Sequence, residues 1–185
     1  MLRPATDADV DAMREWRNQP VNREVSINSH EIAEDEHRAW WGRVQDDPSR
    51  QVLIFEYDGR PLGVVSFFDL DLDGPERTGA WGFYLDNETT GAEGTTMMAW
   101  MQVMKEATRY AFDDEDGPRL DVLNGEVLEG NDAVRTMNRR FRFAEGEPEQ
   151  REVDGRSITV HPISLRRENR RQKKAQPEGQ KGSTS

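Results

Sequence analysis

Trp81-Gly82-Phe83-Tyr84-Leu85-Asp86-Asn87-Glu88-Thr89-Thr90-Gly91-Ala92-Glu93-Gly94-Thr95-Thr96-Met97-Met98-Ala99-Trp100-Met101 runs from a strand, through a glycine-bearing loop, into a helix. The aromatic and aliphatic residues between Thr78 and Leu85 predict the strand. The helix is expected to reach about Phe112, with Met97, Met98, Met101, Met104 and Ala111 as a core-packed apolar face. Glycines in the loop from Thr89 to Gly94 let backbone N–H groups approach an oxyanion, and the helix start adds favourable partial charge. Gly91, Ala92, Glu93, Gly94 and Thr95 are therefore candidates for holding a pyrophosphate. An ordinary turn is the alternative. No Gly-Lys-Ser/Thr run follows, and the dinucleotide-binding glycine pattern is absent.

Toward the C-terminus, Asp113 to Gly117 reads as an acidic loop and Leu120 to Leu128 as the next strand. A short helix follows from Asn131 to Arg140, then a hairpin of Phe143 to Val153 and Arg156 to Ser164 about Asp154-Gly155. Toward the N-terminus, Gln51 to Tyr57 and Pro61 to Asp69 read as strands joined at Asp58-Gly59. Helices are predicted over Glu31 to Val44 and Thr6 to Asn18, the second opened by a Thr6/Asp9 capping box. Residues 19–29 read as a polar loop.

One domain, residues 1–165, accounts for the patterned part of the 185-residue chain. Residues 166–185 hold seven Lys/Arg against two Asp/Glu and are expected to form a disordered basic tail. The net charge of −11 leaves the body at −16, which disfavours nucleic acid as a partner. It favours a cationic amine, although solubility alone would explain it. There is no cysteine, so a thiolate nucleophile and cysteine-ligated zinc are excluded. Three scattered histidines give no sign of a metal site. No apolar run reaches membrane-spanning length and no signal peptide is evident, so the expectation is a cytoplasmic protein with no membrane partner. A homodimer is left open.

Taken together, the glycine loop after one strand and Glu126-Val127-Leu128 before Asn131 and its helix resemble the acetyl-CoA-binding half of the GNAT N-acetyltransferases. The resemblance spans about residues 2–163. It implies an α/β GNAT (acyl-CoA N-acyltransferase) fold, a mixed, mainly antiparallel sheet flanked by helices. It implies acetyl-CoA as co-substrate, with Phe83, Tyr84 and Leu85 along the pantetheine arm, Gly91 to Thr95 at the pyrophosphate and Asn131 facing the cofactor. Three positions depart from the family pattern. Thr89 stands near the usual Gln or Arg, Asn138 stands where a tyrosine often protonates the leaving thiolate, and Arg142 replaces the glycine before Phe143.

Trp16-Arg17-Asn18, Glu36-His37 with Trp40 and Trp41, Gly63 to Phe67, and Trp81 to Leu85 are similar to acetyltransferases of nucleotide-linked amino-sugars, nearest to the pseudaminic-acid-pathway subgroup. That resemblance implies an amino-sugar nucleotide as the small-molecule amine acceptor. Trp16, Trp40 and Trp41 could supply a flat face for a sugar or base, and Trp81 is a further substrate-binding candidate. Arg17 and Arg23, with Asn18 beside them, could bind phosphate oxygens through paired N–H donors. One of Trp40 and Trp41 should be core, and Arg17 could equally be a solvated charge. Glu126 is the candidate general base, because a carboxylate on a buried strand either faces a cleft or costs heavily in desolvation. A salt bridge is the alternative. His37 is a second candidate, more readily read as a structural hydrogen-bonding residue. The rival functions are acetylation of a protein N-terminus or an aminoglycoside-like amine, and an inactive acyl-CoA-binding module.

Overall fold

A computed structural model describes residues 1–153 and 155–170. Runs rich in β-branched, aliphatic and aromatic side chains, apolar on both faces at the centre, build a sheet of eight strands among the described residues: β1 (Leu2–Pro4), β2 (Gln51–Tyr57), β3 (Arg60–Asp71), β4 (Thr78–Leu85), β5 (Val122–Leu128), β6 (Ala144–Glu145), β7 (Glu149–Val153) and β8 (Arg156–Arg166). The order is β1-β2-β3-β4-β5-β8-β6, with β7 also paired to β8. Only β4 and β5 run parallel. This is the mixed, mainly antiparallel sheet expected.

Helices cover both faces. α1 (Val10–Asn18), α2 (Pro20–Glu24) and α3 (Glu34–Val44) come first. α4 (Asn87–Ala92), α5 (Thr96–Phe112), α6 (Asp132–Arg140) and α7 (Arg167–Arg170) follow. The pleat sends Leu53, Phe55, Val65, Phe67, Trp81 and Leu85 to one face, where they pack with Val103 and Met104 of α5. Ile54 and Val64 point the other way, onto Val10, Met13 and Trp16 of α1 and Trp41 of α3. Each layer is therefore set by strand parity. Gly63 is glycine because β3 and β4 approach closely there: a Cβ would lie 2.5 Å from the Tyr84 carbonyl oxygen.

Several sequence expectations are corrected. Leu2–Pro4, ahead of the helix expected from Thr6, is a strand on the sheet edge, pairing with Leu53–Phe55. Residues 20–24 are helical because Pro20 occupies the first turn, where its missing N–H costs nothing. The second helix begins at Glu34, not Glu31. Much of the predicted glycine loop is the helix α4, capped by the Asp86 carboxylate accepting from the Thr89 N–H. Met97 and Met98 are 64% and 54% exposed and lie off the core face of α5. Met104 and Ala111 stand on that face as expected, with Met101 packed against it, and Ala99, Val103 and Ala107 complete it. β8 runs to Arg166, and Arg167–Arg170 is a helical turn whose Arg167 donates to the Leu120 carbonyl. The rest of the predicted tail, residues 171–185, lies outside the described residues.

Candidate active site

β4 and β5 pair only at Thr78–Val122, Gly79–Leu123 and Ala80–Asn124, then diverge. β4 stays paired to β3 as far as Leu85, and β5 stays paired to β8 as far as Leu128. Alternate backbone N–H and C=O groups along the facing edges of Trp81–Leu85 and Gly125–Leu128 therefore have no ladder partner across the gap, and polar main-chain groups of that kind demand one. A cleft of about 1070 Å³ passes through this opening. Gly82 lines it, and a Cβ there would meet nothing within 4 Å.

Parity divides the cleft into two lobes. Phe83 and Val127 belong to the core face under α5 and α6. Trp81 stacks between Phe83 and Phe143 at ring distances of 5.6 and 5.8 Å, and Trp100 meets Phe83 edge-on. Asn138 of α6 lines this lobe and is 4% exposed, and its carboxamide has no hydrogen-bond partner among the described residues. Asn131 also lines it, while its side chain caps α6 by accepting from the Val134 N–H. The lobe is aromatic-walled with one free buried amide, a lining suited to a long, mostly apolar arm carrying a few amides.

Tyr84 and Glu126 sit on the opposite parity and face the other lobe, under α1 and α2. Arg17 of α1 enters the same lobe. Its Nη2 donates to the Asn28 carbonyl at 2.5 Å, and its Nη1 is buried without a partner. Burial pushes the Arg17 guanidinium below its ordinary value, opposed by Tyr84 and reinforced by Arg23. Burial likewise pushes the Tyr84 phenol well above its ordinary value, against the nearby charge of Arg17. Glu126 is held by Arg151 of β7 through two hydrogen bonds, at 2.9 and 2.5 Å, and Arg151 also donates to Glu149. The carboxylate is about one-third exposed on the cleft wall, so the expectation of a largely buried group is corrected. Val21, Val25 and Ile27 form an exposed apolar rim.

The lobes are fixed by a polar clamp that sequence reading missed. Asn22, 5% exposed, donates to the carbonyls of Trp16 and Leu85 at 2.7 and 2.8 Å and accepts from Asn87 Nδ2 at 2.7 Å. Gln19 donates to Asp86 and accepts from the Asn87 N–H. Burial raises the Asp86 carboxyl, but hydrogen bonds from Thr89, Gln19 and Trp16 outweigh it and hold it below its ordinary value. The end of β4 is thereby tied to α1 and α2. The only signal for this was polar residues between two helical patterns. Arg151 was also missed, since nothing in Glu-Gln-Arg-Glu marks a cleft residue.

Other expected site residues lie elsewhere. Trp16 is core, and Trp40 packs beside His37 and Trp41. Asn18 clamps the backbone of Ile32 through both its amide atoms. Arg23 donates to the Ser29 carbonyl and lies 3.7 Å from Glu31. His37 is buried on α3 with Nδ1 unpartnered and does not line the cleft; burial pushes its pKa down. Trp16, Asn18, Arg23, Trp40 and His37 hold the N-terminal helices together and do not wall the cleft. Gly91 to Thr95 do not line the cleft either. Gly91 and Ala92 end α4, Glu93 pairs with Arg60, Gly94 turns the chain at φ +67°, and Thr95 precedes α5. Among the described residues no cluster of three His, Asp or Glu could hold a metal, and no helix is long and apolar enough to cross a membrane.

The family model for the acetyltransferase (GNAT) domain matches residues 5–150. The chain belongs to the GNAT acetyltransferases. It is an acetyl-CoA-dependent N-acetyltransferase with the splayed β4–β5 pair at its centre. No curated protein matches the sequence. Among solved structures, this acetyltransferase resembles spermidine N-acetyltransferase from Vibrio cholerae in complex with CoA and spermine. The TM-score is 0.74 at 14% identity, over 92% of this chain and 96% of that one. It also resembles an N-acetyltransferase from Staphylococcus aureus, with TM-score 0.59 at 19% identity, over 90% of this chain and 97% of that one. At such identities the likeness is one of fold.

Proposed function

We propose that acetyl-CoA lies through the β4–β5 opening, with its arm in the aromatic lobe and its acetyl group toward Gly82. A small primary amine in the opposite lobe then takes the acetyl group directly. The observation that carries this reading is the loss of pairing after Ala80 and Asn124, which leaves two strand edges open on either side of one cleft. When bound, acetyl-CoA supplies an activated thioester. A backbone N–H on the open edge of Phe83 to Leu85 would stabilise the developing oxyanion. Asn138 would orient a water or the arm, since a carboxamide cannot act as an acid. Asn131 lies at the lobe's wall, and the start of α5 after Gly94 and Thr95 offers first-turn N–H groups to the pyrophosphate.

Glu126 is the base in this reading. It faces the lobe opposite the aromatic one and is the carboxylate on the parted stretch of β5. Its bidentate bond to Arg151 occupies one acceptor site on each oxygen, and the proton from the incoming ammonium would go to one of the remaining sites. The acceptor suggested by the sequence resemblance is an amino-sugar nucleotide. Its support in the cleft is Arg17 and the wide acceptor lobe, whereas Trp16, Trp40 and Arg23 give none. A polyamine, the ligand named for the Vibrio cholerae structure, is the second reading, favoured by the acidic body of the chain.

The test is CoA release measured with a thiol-trapping reagent, for which this cysteine-free chain contributes no background. The acceptors are a UDP-linked amino-sugar, spermidine, an aminoglycoside and a peptide N-terminus. Selective turnover of the amino-sugar nucleotide supports the first reading. Selective turnover of spermidine replaces it with the second, and CoA release with none removes the transferase reading of this cleft.

A further inference from the structure

Among the described residues two arginines line the cleft, and they are not equivalent. Arg151 is neutralised by Glu126 and Glu149. Arg17 has no carboxylate partner among the described residues, although carboxylates outnumber cations by 36 to 25 in this chain. One of its nitrogens is buried and unbonded. Tyr84 projects into the same lobe from β4, packed with the α1 side of the sheet, and its hydroxyl also has no hydrogen-bond partner among the described residues. Leaving a desolvated guanidinium unpaired is costly, and a charged donor in such a place is worth most to a ligand that neutralises it.

We propose that Arg17 and Tyr84 form an oxyanion seat in the acceptor lobe, so that the preferred amine acceptor carries a carboxylate or a phosphate of its own. Both groups donate, and neither Arg17 Nη1 nor the Tyr84 hydroxyl has an acceptor among the described residues, which suits an oxyanion and repels a second cation. Arg17 is rigidly placed: Nη2 is anchored on the Asn28 carbonyl, and α1 is tied to the end of β4 through Asn22. The seat lies on the same face of the sheet as Glu126. An acceptor anchored at Arg17 by its anion would hold its amine elsewhere in the lobe, within the space between α1 and β5. The seat thus selects for molecules with an amine and an anion separated by a spacer, and against polyamines. This inference rests on the assignment of that lobe to the acceptor.

The experiment measures binding by calorimetry in the presence of CoA, so that it does not depend on turnover. Matched pairs differ only in the anion: β-alanine against ethylamine for a carboxylate, and glucosamine phosphate against glucosamine for a phosphate. Spermidine is the cationic comparison. The wild-type protein should bind at least one anion-bearing member roughly 30-fold or more tightly than its partner lacking the anion, the scale of a buried charged hydrogen-bonded pair. Arg17→Gln should abolish that preference while leaving acetyl-CoA affinity unchanged, which also reports that the variant is folded. Tyr84→Phe, which removes a single oxygen, should reduce the preference by about tenfold. Whichever pair shows the preference identifies the carboxylate or the phosphate as the natural anion. Equal affinities within both pairs, tighter binding of spermidine than of either anion, or a preference that survives Arg17→Gln would overturn the seat. The absence of CoA release with every amine, with the preference intact, would overturn the transferase reading and leave the seat standing.

Discussion

Arg151 of β7 grips Glu126 of β5 through both carboxylate oxygens, at 2.9 and 2.5 Å, across the wall of the cleft. The pairing brings the C-terminal hairpin into the site. It also means that the carboxylate best placed to accept the amine's proton is already engaged. Glu126→Gln keeps the shape but cannot take a proton. Turnover should fall by roughly two orders of magnitude near neutral pH, and the deficit should narrow as pH rises and more amine arrives deprotonated. Acetyl-CoA affinity should be unchanged. A pH–rate profile matching the wild type would remove Glu126 from the mechanism.

Gly82 offers a second test, of the cleft itself. A side chain there meets open space, so Gly82→Leu should fold with an unaltered far-UV spectrum. The added side chain would fill the opening between β4 and β5 on the acceptor side. Steady-state kinetics should show turnover reduced by roughly a hundredfold or more, as expected when reacting groups are displaced by about an ångström. Full activity in Gly82→Leu would mean that the amine and thioester meet elsewhere.

Asn22 tests the clamp that shapes both lobes. Asn22→Ala removes three hydrogen bonds from a buried place, those to the Trp16 and Leu85 carbonyls and the one from the Asn87 amide. The expected cost is about 2 kcal/mol, a fall in Tm of about 4–8 °C for a domain of this size. A thermal melt within a degree of the wild type would show that the clamp contributes little.

Acid stability should depend on Asp9. Hydrogen bonds from Arg3 outweigh its partial burial and, with Thr6, hold the Asp9 carboxyl at about 2, below its ordinary 3.8. A carboxyl lowered on folding stabilises the native state above its unfolded value, and that contribution is lost as pH falls toward the folded one. Denaturant titrations of the wild type should therefore show a loss between about pH 4 and pH 2 that is shallower in Asp9→Asn. Parallel curves for the two proteins would contradict this.

The strands at the centre of the sheet were readable because short runs of β-branched, aliphatic and aromatic residues are bounded by turn residues: Gln51–Tyr57 and Thr78–Leu85 stand as predicted. β1 was not, since three residues ending in Pro4 hold too little pattern and owe their state to pairing with β2. α4 was hidden by Gly91, whose low helix propensity is overridden by the Asp86 cap. At the site, Arg17 and Glu126 were picked out by residue chemistry and line one lobe of the cleft, whereas Trp81, expected on the substrate side, stacks with Phe83 and Phe143 in the aromatic lobe. Trp16, Trp40 and His37 have similar chemistry but sit on helix faces turned toward other helices. Sequence spacing marks a face of a helix without saying what lies opposite. Arg151 and Asn22 act through partners 25 and 63 residues away, separations that no local motif encodes.

Hydrogen exchange with and without acetyl-CoA reads the central claim most directly, because the open edges of β4 and β5 carry backbone N–H groups with no ladder partner across the gap. Added acetyl-CoA should slow exchange in peptides covering Trp81–Leu85, and in the first turn of α5 after Thr95, while the sheet edge at Leu2–Pro4 stays unchanged. Protection confined to other segments, or no protection at a concentration that saturates turnover, would contradict the placement of the cofactor in the β4–β5 opening.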